Sequence, residues 1–175
     1  LGSSVTTSRA PKIAWDALTN TIYLAYLDFT NGDLLTVMKW VNSNWVPVGT
    51  PGFSLGLTSL GSFEISTLGQ IFLTTASAKT VFTWNGSTLV SFQNLDFTTA
   101  NINNPSILLG PQNELFVYFN NIDISQYQFV SWEGSNWSTA IAPPVSGIDI
   151  NSYAISRRGE LVAAYTDSSN SHQFT

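Results

Sequence analysis

Residues 21–48 read TIYLAYLDFTNGDLLTVMKWVNSNWVPV, and this stretch predicts three β-strands joined by two turns. Residues 22–28 and 34–40 are apolar runs rich in Tyr, Leu and Val. The polar residues 42–44 then lead into a short apolar segment at residues 45–48. Gly, Asn and Asp stand between the runs, where hairpin turns need residues that tolerate a positive φ angle.

The same pattern returns at a nearly constant interval along the chain. A Trp that closes an apolar strand recurs after 44 and then 48 residues, each time followed by a polar turn. The repeated steps are Met38-Lys39-Trp40, Phe82-Thr83-Trp84 and Val130-Ser131-Trp132, and Phe174-Thr175 begins the step once more. A further apolar strand opens each unit, at residues 13–16, 63–66, 106–109 and 153–156. The chain therefore predicts four strands in every 44 to 49 residues.

A repeat of this length with four short strands is typical of a β-propeller blade, because one small sheet cannot bury both of its faces unless another sheet packs on it. Adjacent residues of the third strand are both apolar, as at Val37 and Met38 or Val81 and Phe82, which indicates strands buried on both faces. The three repeated Trp residues are predicted to lie in the core. We therefore expect an all-β protein, a β-propeller of four four-stranded blades.

The repeat divides a single domain of 175 residues into four blades. We expect them at about residues 11–57, 58–102, 103–150 and 151–175. The fourth unit lacks an outer strand, and residues 2–7, GSSVTT, resemble residues 86–91, GSTLVS, of the second unit. Residues 1–10 would therefore complete the fourth blade and close the ring, which removes exposed strand edges. The alternative is a longer ring, completed by a second copy or by a lost remainder of the chain.

Composition excludes several classes of function. Only 10% of the residues are charged, and the net charge is −5 with six basic residues. Nucleic-acid phosphates need clustered Lys and Arg, so we expect no nucleic-acid partner. No apolar run approaches the roughly 20 residues that a membrane helix requires. The absence of Cys excludes a disulfide framework and thiolate chemistry.

Residues 11–54 resemble a repeat of bacterial extracellular propeller proteins, P-S-I-A-x-D-x-x-G-x-x-Y-V-A-Y-x-D followed by V-M-K-[WY]-x-G-S-x-W-x-x-V-G-x-x-G-F-S. The residues that match it are Pro11, Ile13, Ala14, Asp16, Tyr23, Ala25, Tyr26, Asp28, Val37, Met38, Lys39, Trp40, Ser43, Trp45, Val48, Gly49, Gly52, Phe53 and Ser54. The resemblance is specific over the first unit and looser over the others. It implies the propeller fold and a secreted or cell-surface location, but little about chemistry, since propellers host many functions.

No residue pattern points to a metal, a cofactor or a catalytic site. Residues 28–33 are rich in oxygen ligands but lack the spacing of a calcium loop, so we interpret them as a hairpin turn. His172 is the only His, and no carboxylate lies near it at metal-ligand spacing. The chain has three Arg residues and no Ser-x-Asp-x-Gly-x-x-Trp box of the sialidases. We therefore expect a non-enzymatic protein, with a glycan-active enzyme as a third hypothesis.

Aromatic and amide residues in the turns predict a lectin-like function. Trp and Tyr stack on sugar rings, while Asn and Asp form hydrogen bonds with sugar hydroxyls. Two units place an Asn beside a Trp at the same point, although Leu89 in the second unit favours packing between blades as another role for that position. The candidate residues for a glycan or cell-surface ligand, on one rim of the propeller, are Asn44, Trp45, Asn136, Trp137, Asp28 and Asn121. The alternative is an assembly unit that pairs with another chain through its incomplete fourth blade.

Overall fold

The computed structural model describes residues 7–52, 59–76, 78–142, 148–167 and 173–174, and these form strands and turns. The only helix in these ranges is a single 3-10 turn at Phe29–Asn31. The strands are β1 (Thr7–Asp16), β2 (Thr21–Asp28), β3 (Leu34–Val41), β4 (Asn44–Pro47), β5 (Leu60–Ile65), β6 (Ile71–Thr75), β7 (Thr80–Trp84), β8 (Leu89–Asp96), β9 (Ile102–Leu109), β10 (Leu115–Asn121), β11 (Gln126–Ser131), β12 (Ile148–Ile155), β13 (Leu161–Asp167) and β14 (Gln173–Phe174). The all-β prediction is confirmed.

The strands form four antiparallel sheets in which sequence neighbours pair. The first two sheets have four strands each, in the orders β1-β2-β3-β4 and β5-β6-β7-β8. The third contains β9, β10 and β11, and beyond β11 Phe129 pairs with Ile141 and Trp132 with Trp137 as isolated bridges. The fourth contains β12, β13 and the two-residue β14. Each predicted repeat unit therefore corresponds to one small sheet, or blade.

The start of the described chain lies in the first blade. Thr7 pairs with Asp28 and Arg9 with Leu27, so residues 7–10 extend the first strand of that blade. This corrects the expected boundary at residue 11, because these residues pair within the first blade instead of completing the fourth. Residues 1–6 lie outside the described residues, and completion of the fourth blade by them stays a prediction.

The hydrophobic core lies between the blades. One cluster joins the first and second blades and contains Ala14, Ala25, Leu27, Leu35, Val37, Phe63, Ile71, Leu73, Phe82 and Leu89. Another joins the second and third blades and includes Phe72, Val81, Phe92, Phe97, Ile107, Val117, Phe119 and Val130. Val81 and Phe82 belong to different clusters, because successive side chains point to opposite faces of a sheet. This confirms that the second blade is buried on both faces.

Neighbouring blades contact each other through their first strands, in the order of the sequence. Strand β1 contacts β5, β5 contacts β9, and β9 contacts β12. The turns between first and second strands, and between third and fourth strands, lie at one end of every blade, since the strands are antiparallel. We call this end the turn rim. The opposite end, the linker rim, carries the turns between second and third strands and the connections between blades.

The three repeated Trp residues differ in burial. Trp84 packs against the cluster between the first two blades, and Trp132 against the cluster between the second and third. Both predictions are confirmed. The prediction for Trp40 is wrong, because its side chain is 40% exposed. Trp40 lies on the face of the first blade that points away from the second, three residues from the buried Val37 and therefore on the opposite side of the sheet.

Candidate functional site

A cleft of about 310 Å³ opens at the turn rim, where β1, β5 and β9 end side by side. Its lining comes from three blades and combines one carboxylate, several hydroxyl and amide groups, and apolar side chains. The lining residues that carry the argument are Trp15, Glu64, Ser66, Thr67, Leu109 and Asn113. Small-ligand sites in proteins likewise bring a few polar groups together with apolar side chains.

Asn113 holds the second and third blades together beside the cleft. It lies in the turn between β9 and β10 with a φ of 67°, a conformation that Asn tolerates better than most residues. Its side-chain oxygen accepts hydrogen bonds from the backbone N–H of Thr67 at 2.7 Å and from the Thr67 hydroxyl at 2.8 Å. The Nδ2 group of Asn113 has no hydrogen-bond acceptor among the described residues. It is therefore a free donor at the cleft.

Glu64 supplies the only carboxylate among the residues that line the cleft. It lies next to the last residue of β5 and is half-buried, and burial raises the pKa of its carboxyl above the ordinary value. No hydrogen bond to this carboxyl occurs within the described ranges. A half-buried carboxylate without a donor is short of hydrogen bonds that water or a ligand can supply. Glu64 is therefore the strongest acceptor available to a ligand here.

Aromatic and apolar groups surround these polar atoms. Trp15 is 60% exposed, and its indole N–H donates to the side-chain oxygen of Asn20 at 3.3 Å, which orients the ring. The pKa of Tyr153, on β12, lies above its ordinary value, chiefly because the side chain is buried, and a hydrogen bond with Ser106 only partly opposes this shift. The negative charge of Glu64 also raises the pKa of Tyr153. The carboxylate of Glu64 is therefore close enough to the fourth blade to influence its Tyr hydroxyl.

Four of the six residues predicted from the sequence lie at the turn rim but outside the cleft lining. Asn44 and Asn136 are exposed, and each donates a hydrogen bond within its own turn, to the carbonyl of Asn42 at 3.0 Å and to the hydroxyl of Ser135 at 3.3 Å. The neighbouring Trp side chains are half-buried. The indoles of Trp45 and Trp137 pack edge-on against Trp40 and Trp132, at centroid distances of 5.2 and 5.4 Å.

The other two predicted residues, Asp28 and Asn121, lie at the linker rim and are buried. Asp28 accepts hydrogen bonds from the Thr30 backbone at 3.0 Å and hydroxyl at 2.6 Å, and from Asn31 at 2.7 Å. Asn121 donates to Gln128 at 2.8 Å and accepts from the backbone N–H of Asp123 at 3.1 Å. These contacts stabilise turns, as the interpretation of residues 28–33 as a hairpin turn requires. The structure thus divides the six predicted residues between two opposite rims.

Glu64, Thr67 and Asn113 are not among the site residues predicted from the sequence. Glu64 stands where the corresponding first strands carry Ala14 and Ala154, so a charged residue at an apolar repeat position was the available signal. Within the described ranges, no group of three or more His, Cys, Asp or Glu side chains could hold a metal ion. His172 lies outside those ranges. The same part of the chain contains no helix long and apolar enough to cross a membrane.

No known protein family and no curated protein match the sequence. A solved structure of a fucose lectin from Kordia zhangzhouensis, in complex with methyl-fucoside, is similar at 17% identity, covering 78% of this chain and 99% of that chain with a TM-score of 0.49. The Cps50 (Swd1) beta-propeller domain of Myceliophteria thermophila is similar at 12% identity and a TM-score of 0.54. That match covers 93% of this chain and 52% of the longer propeller, so this chain spans about half of it. With four small sheets packed in series around their first strands, the chain has the β-propeller fold.

Proposed function

We propose that this protein is a non-catalytic carbohydrate-binding module and that the turn-rim cleft is its binding site. The observation that carries the proposal is the half-buried carboxylate of Glu64, which accepts no hydrogen bond from the described residues and lies inside a cleft shared by three blades. Sugar hydroxyls donate strongly to such a group. A cleft of about 310 Å³ lies at the small end of ligand sites, which suits one sugar unit better than a long chain.

The remaining lining complements a sugar in the same way. The free Nδ2 group of Asn113 can donate to a hydroxyl or ring oxygen. Trp15 and Leu109 offer apolar surface for the C–H faces of a sugar ring. The negative charge of Glu64 and the net charge of −5 disfavour phosphorylated or otherwise anionic ligands. A neutral glycan is therefore the ligand class that fits these groups best.

The absence of a carboxylate partner in the lining supports binding without hydrolysis. Glycoside hydrolysis uses two carboxyl groups, roughly 5 to 9.5 Å apart on either side of the bond that breaks. Glu64 is the only acidic residue among those that line the cleft. Glu114, in the neighbouring turn, accepts the backbone N–H of Gln112 at 2.8 Å and stabilises that turn.

A second candidate site for glycans lies at the outer part of the same rim. The exposed amides of Asn44 and Asn136 occupy equivalent turns of the first and third blades. Equivalent sites on one rigid scaffold would bind a multivalent glycan with increased avidity. A glycan or cell-surface partner also fits the proposed secreted or cell-surface location.

The test is a glycan array followed by calorimetry with the monosaccharides that score. Glu64→Gln keeps the shape of the side chain but removes its charge, and a hydrogen bond to a charged group is worth about 1.5–3 kcal/mol. We expect binding to weaken by about 10- to 150-fold. Glu133→Gln is the matched control, since Glu133 is exposed at the same rim but does not line the cleft.

Unchanged affinity in Glu64→Gln would rule out the cleft as the site. If Asn44→Ala or Asn136→Ala weakened binding in that case, the outer turns would be the site instead. No binding to any glycan on the array by the unmodified protein would refute the proposed function itself.

A further inference from the structure

One face of the first blade has the composition of a buried junction but is exposed. The first strands of three blades carry equivalent residues, because Ile13 pairs with Leu24, Phe63 with Leu73 and Ile107 with Val117 in the same register. Phe63 and Ile107 pack against the preceding blade and are only 3% and 2% exposed. Ile13 is 70% exposed.

The third strands repeat this contrast. Trp84 packs against the first blade, where a side chain added at Gly49 would overlap its ring. Trp132 packs against Phe92 of the second blade, with ring centroids 5.2 Å apart. Trp40, at the same position of the first blade, is 40% exposed. In both strands, the residue that should meet a preceding blade is uncovered only where the described chain has no preceding blade.

We call this surface the leading face and define it by Ile13, Ile22 and Trp40, which are 70%, 43% and 40% exposed. Nearer to the linker rim, the same side of the sheet is already buried at Tyr26 and Met38. The uncovered part is therefore the half next to the turn rim. Contiguous exposed apolar surface of this kind marks an interaction site in soluble proteins.

The opposite end of the series has a complementary surface. The trailing face of the fourth blade, which points away from the third, carries Ala154, Val162 and Ala164, all exposed and with Val162 at 55%. Ala154 and Ala164 correspond to Ala14 and Ala25 of the first blade in the repeat. Inside the chain, those two alanines share a buried cluster with the bulky Phe63 and Phe82 of the next blade. Large side chains therefore pack on small ones at the internal junction.

We propose that two copies of this chain associate head to tail, the leading face of each packing on the trailing face of the other, to close one propeller of eight blades. Each copy supplies the face that the other lacks, with the same pairing of bulky and small side chains as at the internal junction. No comparable contact joins β12 or β13 to β1 or β2 within the described ranges.

The geometry favours a second copy of equal size. The four blades align with 52% of a longer propeller, and in that propeller a segment of similar length completes the ring. Head-to-tail interfaces produce closed rings when the rotation between subunits closes, and half a ring requires a twofold rotation. This contact is made through blade faces, and so differs from pairing of strand edges in an incomplete fourth blade.

The first experiment is light scattering of the 175-residue chain over a dilution series. The expected mass is twice the 19.1 kDa of one chain. Ile13→Glu and Val162→Glu each place a charge in both junctions, and we expect each to raise the dimer dissociation constant by at least about 100-fold. Ile124→Glu is the matched control, since Ile124 is 51% exposed at the linker rim and belongs to neither face. Circular dichroism shows whether each variant retains its strands.

Mixing the two variants tests the head-to-tail arrangement. Ile13→Glu retains a normal trailing face and Val162→Glu a normal leading face, so one intact junction re-forms and the mixture contains more dimer than either variant alone. A monomeric unmodified chain at every concentration would refute the proposal and leave closure within one chain, or by further blades of a longer chain. Loss of dimer in Ile13→Glu but not in Val162→Glu would refute it in favour of contact between two leading faces. Open polymers would also refute closure.

Discussion

Replacement of Thr74 by Val tests whether buried hydroxyl groups hold the second and third blades together. Thr74 is fully buried, and its hydroxyl donates to the carbonyl of Pro105 on β9 at 2.8 Å. The same oxygen lies 3.1 Å from the backbone nitrogen of Ser62 and 3.0 Å from its hydroxyl. Because the single hydroxyl proton of Thr74 is donated to Pro105, the Ser62 hydroxyl donates its own proton to Thr74, and it accepts a hydrogen bond from the backbone N–H of Ile107 at 2.7 Å. Two side chains thus connect β6 and β5 to β9.

Val has the shape of Thr but no hydroxyl, so the substitution removes these hydrogen bonds without leaving a cavity. The Pro105 carbonyl and the Ser62 N–H and O–H groups would then lie buried without the partner they now have. Each buried polar group left without a partner costs about 1–3 kcal/mol, and partial rearrangement makes about 3–5 kcal/mol a reasonable total. This is a large part of the roughly 5–15 kcal/mol by which a domain is stable.

The assay is urea unfolding followed by Trp fluorescence, with the slope compared between variants. Thr36→Val is the matched control, because Thr36 is also buried but its hydroxyl accepts only one hydrogen bond, from the N–H of Gly52 at 2.9 Å. We expect this control to lose about 1 kcal/mol. If Thr74→Val lost no more stability than Thr36→Val, the reasoning about the connection between the blades would be wrong.

Three further predictions concern stability. Hydrogen bonding, led by the Thr30 hydroxyl, lowers the pKa of Asp28. The contribution of the charged Asp28 to folding stability is therefore fully present above the unfolded pKa of 3.8 and is lost as the pH falls through the folded pKa. Asp28→Ala should cost about 1 kcal/mol near pH 7, with the difference in melting temperature from the unmodified protein shrinking in acid. Burial raises the pKa of Glu64, so the protonated carboxyl contributes to the stability of the folded protein. This contribution is fully present below the unfolded pKa of 4.5 and is lost as the pH rises through the folded pKa. Glu64→Gln should therefore melt at a higher temperature than the unmodified protein near pH 7, and at a similar temperature near pH 4. A lower melting temperature of Glu64→Gln near pH 7 would contradict the conclusion that burial destabilises the charged carboxylate. Gly49→Ala should destabilise by about 1–3 kcal/mol in urea unfolding, because Gly49 has a φ of 76° and a Cβ there would overlap the ring of Trp84; an unchanged midpoint would show that the ring moves without penalty.

The repeated pattern predicted the fold because it records a physical requirement that each blade must meet. A strand between two other blades buries both faces, and the adjacent apolar pairs, such as Val81 and Phe82, show this directly. Asn42 and Ser43, with φ angles of 50° and 65°, form the predicted tight turn between β3 and β4. These features are local in the chain, and they could therefore be read without knowledge of the tertiary structure.

The candidate site could not be predicted in the same way. Residues 64, 67 and 113 come together because the first strands of neighbouring blades end at one rim, and Thr67 and Asn113 are 46 positions apart. Conversely, Asp28 and Asn121 have the residue types of a binding loop, but their polar atoms are occupied by turn hydrogen bonds. Residue type indicated polarity in these cases, whereas the availability of each polar atom depended on its neighbours in space.

The sequence by itself determined that this chain is all-β, that it repeats every 44 to 49 residues, and that strands lying between two blades carry apolar residues on both faces. Hydrophobic period and turn chemistry are properties of short segments, so they survive in the sequence. Only the tertiary structure decided that Glu64 lines a cleft where its carboxyl accepts no hydrogen bond from the described residues, and that Trp40 is exposed while Trp84 and Trp132 are packed. The same local pattern occurs at all three Trp residues, and what differs is whether another blade covers it.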